Sequence, residues 1–280
     1  MTAEDRWVPA GVDTSKANIA RVYDYWLGGN HNFLADQDAA RVMIAVEPNT
    51  RAVARANRAF LGRAVRYLAE EAGIRQFLDI GSGIPTAQNV HQVAQQAAPG
   101  SRVVYADIDP VAVAHSQLLL QDNPAAAAIQ ADLCEPEAIL AAPETQLLID
   151  FAQPVAVLLV AVLHFIPDEA GPWQIVATLR DALAPGSYLV LVHGTSESRP
   201  DIHDAFETAY TSRVAASLFL RQRPDIERFF DGFSLIDPGL VYLPEWRPDS
   251  WQDVPEDPRK FWGLVGVGRR DADPAPGAQP

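Results

Sequence analysis

A doubly wound α/β fold around a mostly parallel sheet is what this 280-residue sequence predicts, and three observations predict it. Short apolar runs alternate with longer segments of helical spacing from Gln76 to Gly268. The richest run, Val155–Leu163, is apolar on both faces, as an interior parallel strand is. Three of the runs lead into an acidic residue, which puts polar groups at the carboxyl edge where such sheets bind ligands. A chain of this length buries a large core without disulfides or structural metals.

The elements follow in order. Residues 1 to about 13 are polar and read as loose. A helix is expected over Ser15–Leu27, ended by Gly28-Gly29. A second spans Thr50–Ala72, where Val53, Ala56, Phe60, Ala64, Val65 and Leu68 recur at helical spacing and arginines fill the other face. Gly73 supplies its stop. Gln76–Ile80 reads as the first strand, followed by a helix over Thr86–Ala97. Arg102–Ala106 is the second strand, Val111–Gln121 a helix and Ala127–Gln130 a shorter third strand. After Val155–Leu163 come a helix over Asp168–Ala184, a turn at Pro185-Gly186 and a fifth strand at Tyr188–His193. A long helical stretch runs from Pro200 to about Gln222, and Leu240–Leu243 and Phe261–Gly268 close a seven-stranded sheet. The chain thus divides into an N-terminal helical extension (1–75), a sheet domain (76–270) and a disordered Pro-, Ala-, Gly- and Asp-rich tail (271–280), with no internal repeat.

Composition excludes several classes. The net charge of −14 opposes sequence-independent phosphate binding, and no nucleic-acid module is visible, so no nucleic-acid partner is expected. The single cysteine, Cys134, cannot form an internal disulfide and reads as a buried or partly buried small hydrophobe. The N-terminus lacks the basic and apolar regions of a secretory signal. The longest apolar run falls far short of the roughly 20 residues that cross a bilayer. A cytoplasmic chain without membrane partners is expected, and its oligomeric state is not encoded legibly.

The densest chemical signal is Phe77-Leu78-Asp79-Ile80-Gly81-Ser82-Gly83-Ile84-Pro85-Thr86, an apolar strand running into two glycines before a helix. Glycines there let a backbone approach a ligand closely, although a plain strand-to-helix turn has them too. Context favours a ligand. Asp107, in Tyr105-Ala106-Asp107-Ile108-Asp109-Pro110, ends the second strand beside that turn, where a carboxylate can accept from both hydroxyls of a ribose. Asp132 follows the third strand and can receive an adenine amino group, with Leu133 offering backbone contacts and apolar packing.

From about Gln76 to Gly268 this arrangement resembles the class I, Rossmann-like methyltransferases that use S-adenosylmethionine. A nicotinamide enzyme instead turns its glycine loop toward a pyrophosphate, whereas the sulfonium and amino-acid tail of S-adenosylmethionine suit Asp79 beside the turn. The N-terminal run Ala20-Arg21-Val22-Tyr23-Asp24-Tyr25-Trp26-Leu27-Gly28-Gly29-Asn30-His31-Asn32-Phe33, with Ala35-Asp36, makes the likeness closer. Together with Asp107-Ile108-Asp109-Pro110, Ala131-Asp132-Leu133 and Leu163-His164-Phe165-Ile166-Pro167, it resembles the bacterial S-adenosyl methyltransferase family, whose members mostly have no assigned substrate. Pro85, where other methyltransferases have a third glycine, belongs to that family's pattern. The resemblance implies S-adenosyl-L-methionine as cofactor, held by Asp79, Gly81, Ser82, Gly83, Asp107, Ile108, Asp132 and Leu133, with Tyr23 or Asn30 reaching it from the extension.

Methyl transfer is an in-line displacement in which positioning contributes about 7–11 kcal/mol, and a base is needed only for a poorly acidic nucleophile. His164, after the fourth strand, is the candidate catalytic base or substrate contact; a structural loop histidine is the alternative. His193, ending the fifth strand, is a candidate substrate contact. No catalytic metal is expected, since these loops offer histidine and aliphatic residues rather than several oxygen ligands. The aromatic segment Tyr23–Phe33 reads as a lid, with Trp26 or Phe33 walling the substrate, or else as a helix packed on the domain. Arg21 reads as a cofactor-carboxylate ligand or an exposed ion pair, and Phe206, Tyr210, Phe219, Phe229 and Phe230 as acceptor-pocket lining or core. The function expected is methyl transfer to a small-molecule acceptor; the alternatives are a regulatory protein that binds the cofactor without turnover, and a nicotinamide-dependent oxidoreductase.

Overall fold

Apolar strands buried on both faces need neighbours on both edges and helices above and below, and the computed structural model shows that arrangement. It describes residues 12–86, 88–198, 200–214 and 217–271; the expectations for the first eleven residues and for the tail after Asp271 lie outside the described residues.

The strands are β1 (Gln76–Ile80), β2 (Arg102–Asp107), β3 (Ala126–Gln130), β4 (Ala156–Val160), β5 (Tyr188–Gly194), β6 (Ser234–Leu235), β7 (Val241–Tyr242) and β8 (Gly263–Arg269). They form one eight-stranded sheet in the order β3-β2-β1-β4-β5-β8-β6, with β7 also beside β8. The first five are parallel. β8 runs antiparallel to β5 from Tyr188↔Arg269 to Gly194↔Gly263. β6 and β7 pair with opposite halves of β8, so the outer edge is one interrupted strand. Two-residue β6 is too short to show a period in sequence.

Alternate residues of each strand feed two cores. Phe77, Val103, Leu158 and Val190 pack with Phe60, Ala64, Val65 and Leu68 of α3 (Thr50–Glu70) on one face. Leu78, Val104, Leu159 and Leu191 pack on the other with Ile175 and Leu179 of α8 (Pro172–Asp181). A third cluster joins α1 (Ile19–Leu27), α2 (Leu34–Val46) and α9 (Pro200–Thr211) to Ala54 of α3 through Val22, Trp26, Met43, Phe206 and Tyr210.

Most departures from expectation have a local cause. α1 ends as expected at Gly28, whose φ is +87°. α2 was not anticipated, because its buried face is mainly alanine (Ala39, Ala40) and shows little contrast with its polar neighbours. α4 (Val90–Ala97) starts four residues after Thr86, since Asn89 rather than Thr86 leads into it, its N–H bonded to Gln92 Oε1 at 2.9 Å. α5 (Pro110–Leu120) is capped by Asp109, which accepts from Val111 N at 2.6 Å. Two short helices, α6 (Pro136–Ala141) and α7 (Pro143–Leu148), fill the stretch between β3 and β4. β4 stops at Val160 although the apolar run continues, because Ala161 has a φ of +60° and the chain turns into a 3-10 segment at Leu163–Phe165. α9 ends at Thr211 rather than Gln222; past it Phe219 N bonds to His164 O at 2.7 Å and Arg221 pairs with Thr195. A short α10 (Arg223–Glu227) follows. Among the described residues no helix is long and apolar enough to cross a membrane.

Candidate active site

The strand order reverses between β1 and β4, so the loops after these two strands part and leave a crevice at their carboxyl ends. Gly81 opens the first loop with φ +74°, and its N–H bonds to Ala106 O at 2.8 Å. A Cβ there would stand 2.4 Å from Val162 Cγ2, so this glycine is required by the loop after β4 crossing it, at a φ that other residues resist. Gly83 differs: its φ is +67°, and nothing lies within 4 Å of where its Cβ would be. Its N–H donates to Asp107 Oδ2 at 2.7 Å, while Asp107 Oδ1 accepts from Asp109 N at 2.9 Å. The end of β2 therefore holds the glycine loop in place.

The crevice widens into a cavity of about 540 Å³. Asp79, Gly81, Ser82 and Gly83 form its floor at β1, Asp107 and Ile108 its side at β2, and Asp132 and Leu133 its end at β3. The structure thus brings the strand-end set together around one space. Asp132 Oδ1 is steadied by Cys134 N at 2.8 Å. Cys134 is exposed in this wall, not buried or partly buried as its type led one to expect. Tyr23 of α1 covers the cavity, its hydroxyl donating to Ala54 O at 3.0 Å and accepting from Asn57 Nδ2 at 2.8 Å.

The rest of the aromatic segment goes elsewhere. Asn30 is exposed and outside the cavity wall. Phe33 precedes α2, with the Arg21 guanidinium 5.3 Å from its ring centre. Trp26 is buried and lines a smaller adjoining hollow. Two carboxylates fix this arrangement. Asp24 Oδ2 takes His31 N at 2.9 Å and Asn32 Nδ2 at 2.8 Å. Asp36 takes Asn18 N, Phe33 N and the Arg21 guanidinium, and both ion-pair partners are buried. Arg21 is therefore an internal tie rather than an exposed pair or a cavity residue, since Asp36, from a helix absent in the sequence reading, reaches it.

Burial dominates the electrostatics. It pushes the Asp79 carboxyl up to about 7, with Arg58 opposing and Asp107 reinforcing the rise. Asp107 is pushed up to about 6, again mainly by burial, against donation from the Asp109 and Gly83 backbone. Arg58 lines the cavity, and its Nη2 is buried with no hydrogen-bond partner among the described residues. Sequence reasoning missed Arg58 by assigning the arginines of α3 to a solvated face. The available signal was Ala54-Asn57-Arg58-Leu61, an i, i+3, i+4, i+7 stripe that mixes small, polar and apolar residues.

The two histidines do not reach the cavity wall. In the 3-10 turn after β4, Phe165 faces the cavity and His164 the adjoining hollow. His164 Nδ1 accepts from Gly194 N at 3.2 Å, so its proton sits on Nε2. Burial, with Arg221 nearby, pushes this ring down to about 3. At neutral pH the ring is uncharged, with Nε2 as its donor. His193 is fully buried, because β5 runs one residue further and its side chain faces the core. Its Nδ1 meets Gly194 O at 2.7 Å and its Nε2 meets Arg221 Nη1 at 2.8 Å, which makes the ring an acceptor for arginine. Arg221, also unanticipated, donates to Leu163 O, Ile166 O and Asp168 and so clamps the cavity-wall loop 163–168.

The sequence profile of the S-adenosyl methyltransferase family matches residues 5–271. No curated protein matches the chain. A candidate methyltransferase from Thermobifida fusca YX is 42% identical with a TM-score of 0.89, over 95% of this chain and 100% of that one. A DUF574 family protein from Streptomyces avermitilis MA-4680 is 40% identical with a TM-score of 0.88, over 92% and 99%. An O-methyltransferase family protein from Burkholderia thailandensis shares the fold at 14% identity and a TM-score of 0.51, over 81% of this chain and 61% of that one.

Proposed function

The chain belongs to the S-adenosyl methyltransferase family, and from that premise we propose that this S-adenosylmethionine-dependent methyltransferase acts on a small-molecule acceptor held beside the cavity at β1 and β4. The observation that carries the reading is the buried, unpartnered Nη2 of Arg58 in the same wall as Asp79, a cation and a carboxylate placed for an amino-acid tail. Arg58 would hold the cofactor's carboxylate and Asp79 its ammonium. Asp107 keeps free lone pairs for the ribose hydroxyls after taking its two backbone donors. Asp132 and Leu133 would meet the adenine. When bound, the cofactor supplies an electrophilic methyl group on a sulfonium. The protein's own part is to align an acceptor with it, and Phe165 and the α1 residues Ile19, Ala20 and Tyr23 serve as the cover that excludes water. His164 serves the acceptor as a donor through Nε2. The acidic composition and the enclosed wall favour a small acceptor over a nucleic acid.

The test is transfer of label from methyl-labelled S-adenosylmethionine to a panel of neutral phenols, amines and N-heterocycles. Label is expected in at least one acceptor; cofactor binding with no transfer to any of them would leave the regulatory reading instead.

Binding of the cationic cofactor should depend on pH. Asp79 and Asp107 have folded values of about 7 and 6, above the roughly 3.9 of an unfolded aspartate. The stability linked to their protonation is fully present below about pH 4 and is lost as pH rises through those folded values. A cationic ligand needs both ionised forms, so its affinity should rise about a hundredfold from pH 5.5 to 8, with proton release near pH 6.5. Calorimetry in two buffers of different ionisation enthalpy reads that release; a pH-independent affinity refutes the assignment.

A further inference from the structure

Next to the cofactor cavity lies a second hollow of about 80 Å³. It shares Ile19, Tyr23, Asn57, Ala161 and Phe165 with the first, so the two adjoin along one wall. Trp26, Phe206, Tyr210 and Trp262 add aromatic faces to a wall otherwise made of aliphatic residues, Thr50 and His164. Among the described residues no Asp, Glu, Lys or Arg lines it, so an ion placed there would lose its hydration without gaining a partner.

Three buried polar atoms of this lining have no hydrogen-bond partner among the described residues: Trp26 Nε1, Tyr210 Oη and Asn57 Oδ1. Leaving such a group unmade costs about 1–3 kcal/mol, and all three belong to residues that line this one small space. The orientation of the Asn57 amide follows from its neighbours. The Tyr23 hydroxyl must donate to Ala54 O, which can only accept, so it accepts from Asn57 Nδ2. The atom left over is therefore the amide oxygen, an acceptor, at the wall the two hollows share.

We infer that this hollow is the acceptor subsite and takes a compact, neutral, single-ring aromatic molecule, which donates an O–H or N–H to Asn57 Oδ1 and accepts from Trp26 Nε1 or Tyr210 Oη. The inference rests on the methyltransferase reading of the adjoining cavity. An apolar cavity of about 150 Å³ holds benzene, so a ring seated here extends toward the shared wall and the cofactor. In the transfer, the acceptor's oxygen or nitrogen bonds to the methyl carbon as the sulfur–methyl bond breaks. The electron pair of that bond stays on sulfur, and the acceptor's proton leaves to water.

The test uses the full chain saturated with S-adenosylhomocysteine and titrated with phenol, benzoate and cyclohexanol, alongside Tyr210→Phe and Trp26→Phe. Phenol should bind, and benzoate and cyclohexanol far more weakly. One or other of the two variants should weaken phenol binding about three- to tenfold, the worth of one neutral hydrogen bond. Tyr210→Phe should leave S-adenosylhomocysteine affinity unchanged and stability equal or higher, because Tyr210 Oη has no hydrogen bond to lose among the described residues. Benzoate or cyclohexanol binding as tightly as phenol, no phenol binding, or undiminished phenol affinity in both Tyr210→Phe and Trp26→Phe overturns the inference. Failure of the wild-type protein to bind S-adenosylhomocysteine overturns the cofactor reading itself, a separate result.

Discussion

Asp36→Ala should lower the melting temperature by roughly 10 °C, the largest stability effect expected of any surface-distant polar residue in the extension. Asp36 is fully buried and receives Asn18 N at 2.9 Å, Phe33 N at 2.8 Å and the Arg21 guanidinium at 3.1 Å. Truncation strands all three donors and leaves Arg21 buried with its bond to Lys16 O. Breaking such a pair costs about 3–5 kcal/mol, and in a chain of this size each kcal/mol moves the midpoint by about 2–4 °C. Calorimetry of the single variant and of Arg21→Met/Asp36→Leu separates the causes. The double variant should regain much of the loss, since it leaves no unpaired charge; a single variant that melts within 2–3 °C of wild type contradicts the prediction.

Asp107→Ala should weaken S-adenosylmethionine binding at least about a hundredfold with little change in the fold. Two charge-assisted hydrogen bonds to ribose hydroxyls are worth about 1.5–3 kcal/mol each. Stability should hold, because burial already disfavours the ionised form of this carboxylate, and Gly83 N and Asp109 N next to the cavity can turn to water. Titration calorimetry reads the affinity, and a change smaller than threefold removes Asp107 from the cofactor site.

How much of this was legible follows from how locally each feature is determined. β1 was read to the residue because its five positions are all buried between helices and both ends are marked, by Arg75 before it and Gly81 after it. Asp79, Asp107 and Asp132 could be grouped because parallel strands put their carboxyl ends on one edge whatever the loops do. Arg58 was invisible for the opposite reason. Its role depends on α3 lying against the β1 loop, and a helix with five arginines between Arg51 and Arg66 looks solvated unless the second face is known to be covered. His164 shows the cost of one rotated residue: a strand continued to Leu163 turns it to the cavity, whereas the turn at Ala161 gives that place to Phe165. Arg221 joins elements some fifty residues apart, to Asp168 and Leu163, and no local pattern announces that.

The carboxylates of Asp24 and Asp36 also hold the roof over the cavity together. Their bonds take two backbone donors of the joint between α1 and α2, His31 N and Phe33 N, and so tie the turn at Gly28-Gly29 to both helices. The roof over Tyr23 is thus one packed unit of both helices, with α9 joined to it through Phe206 and Tyr210.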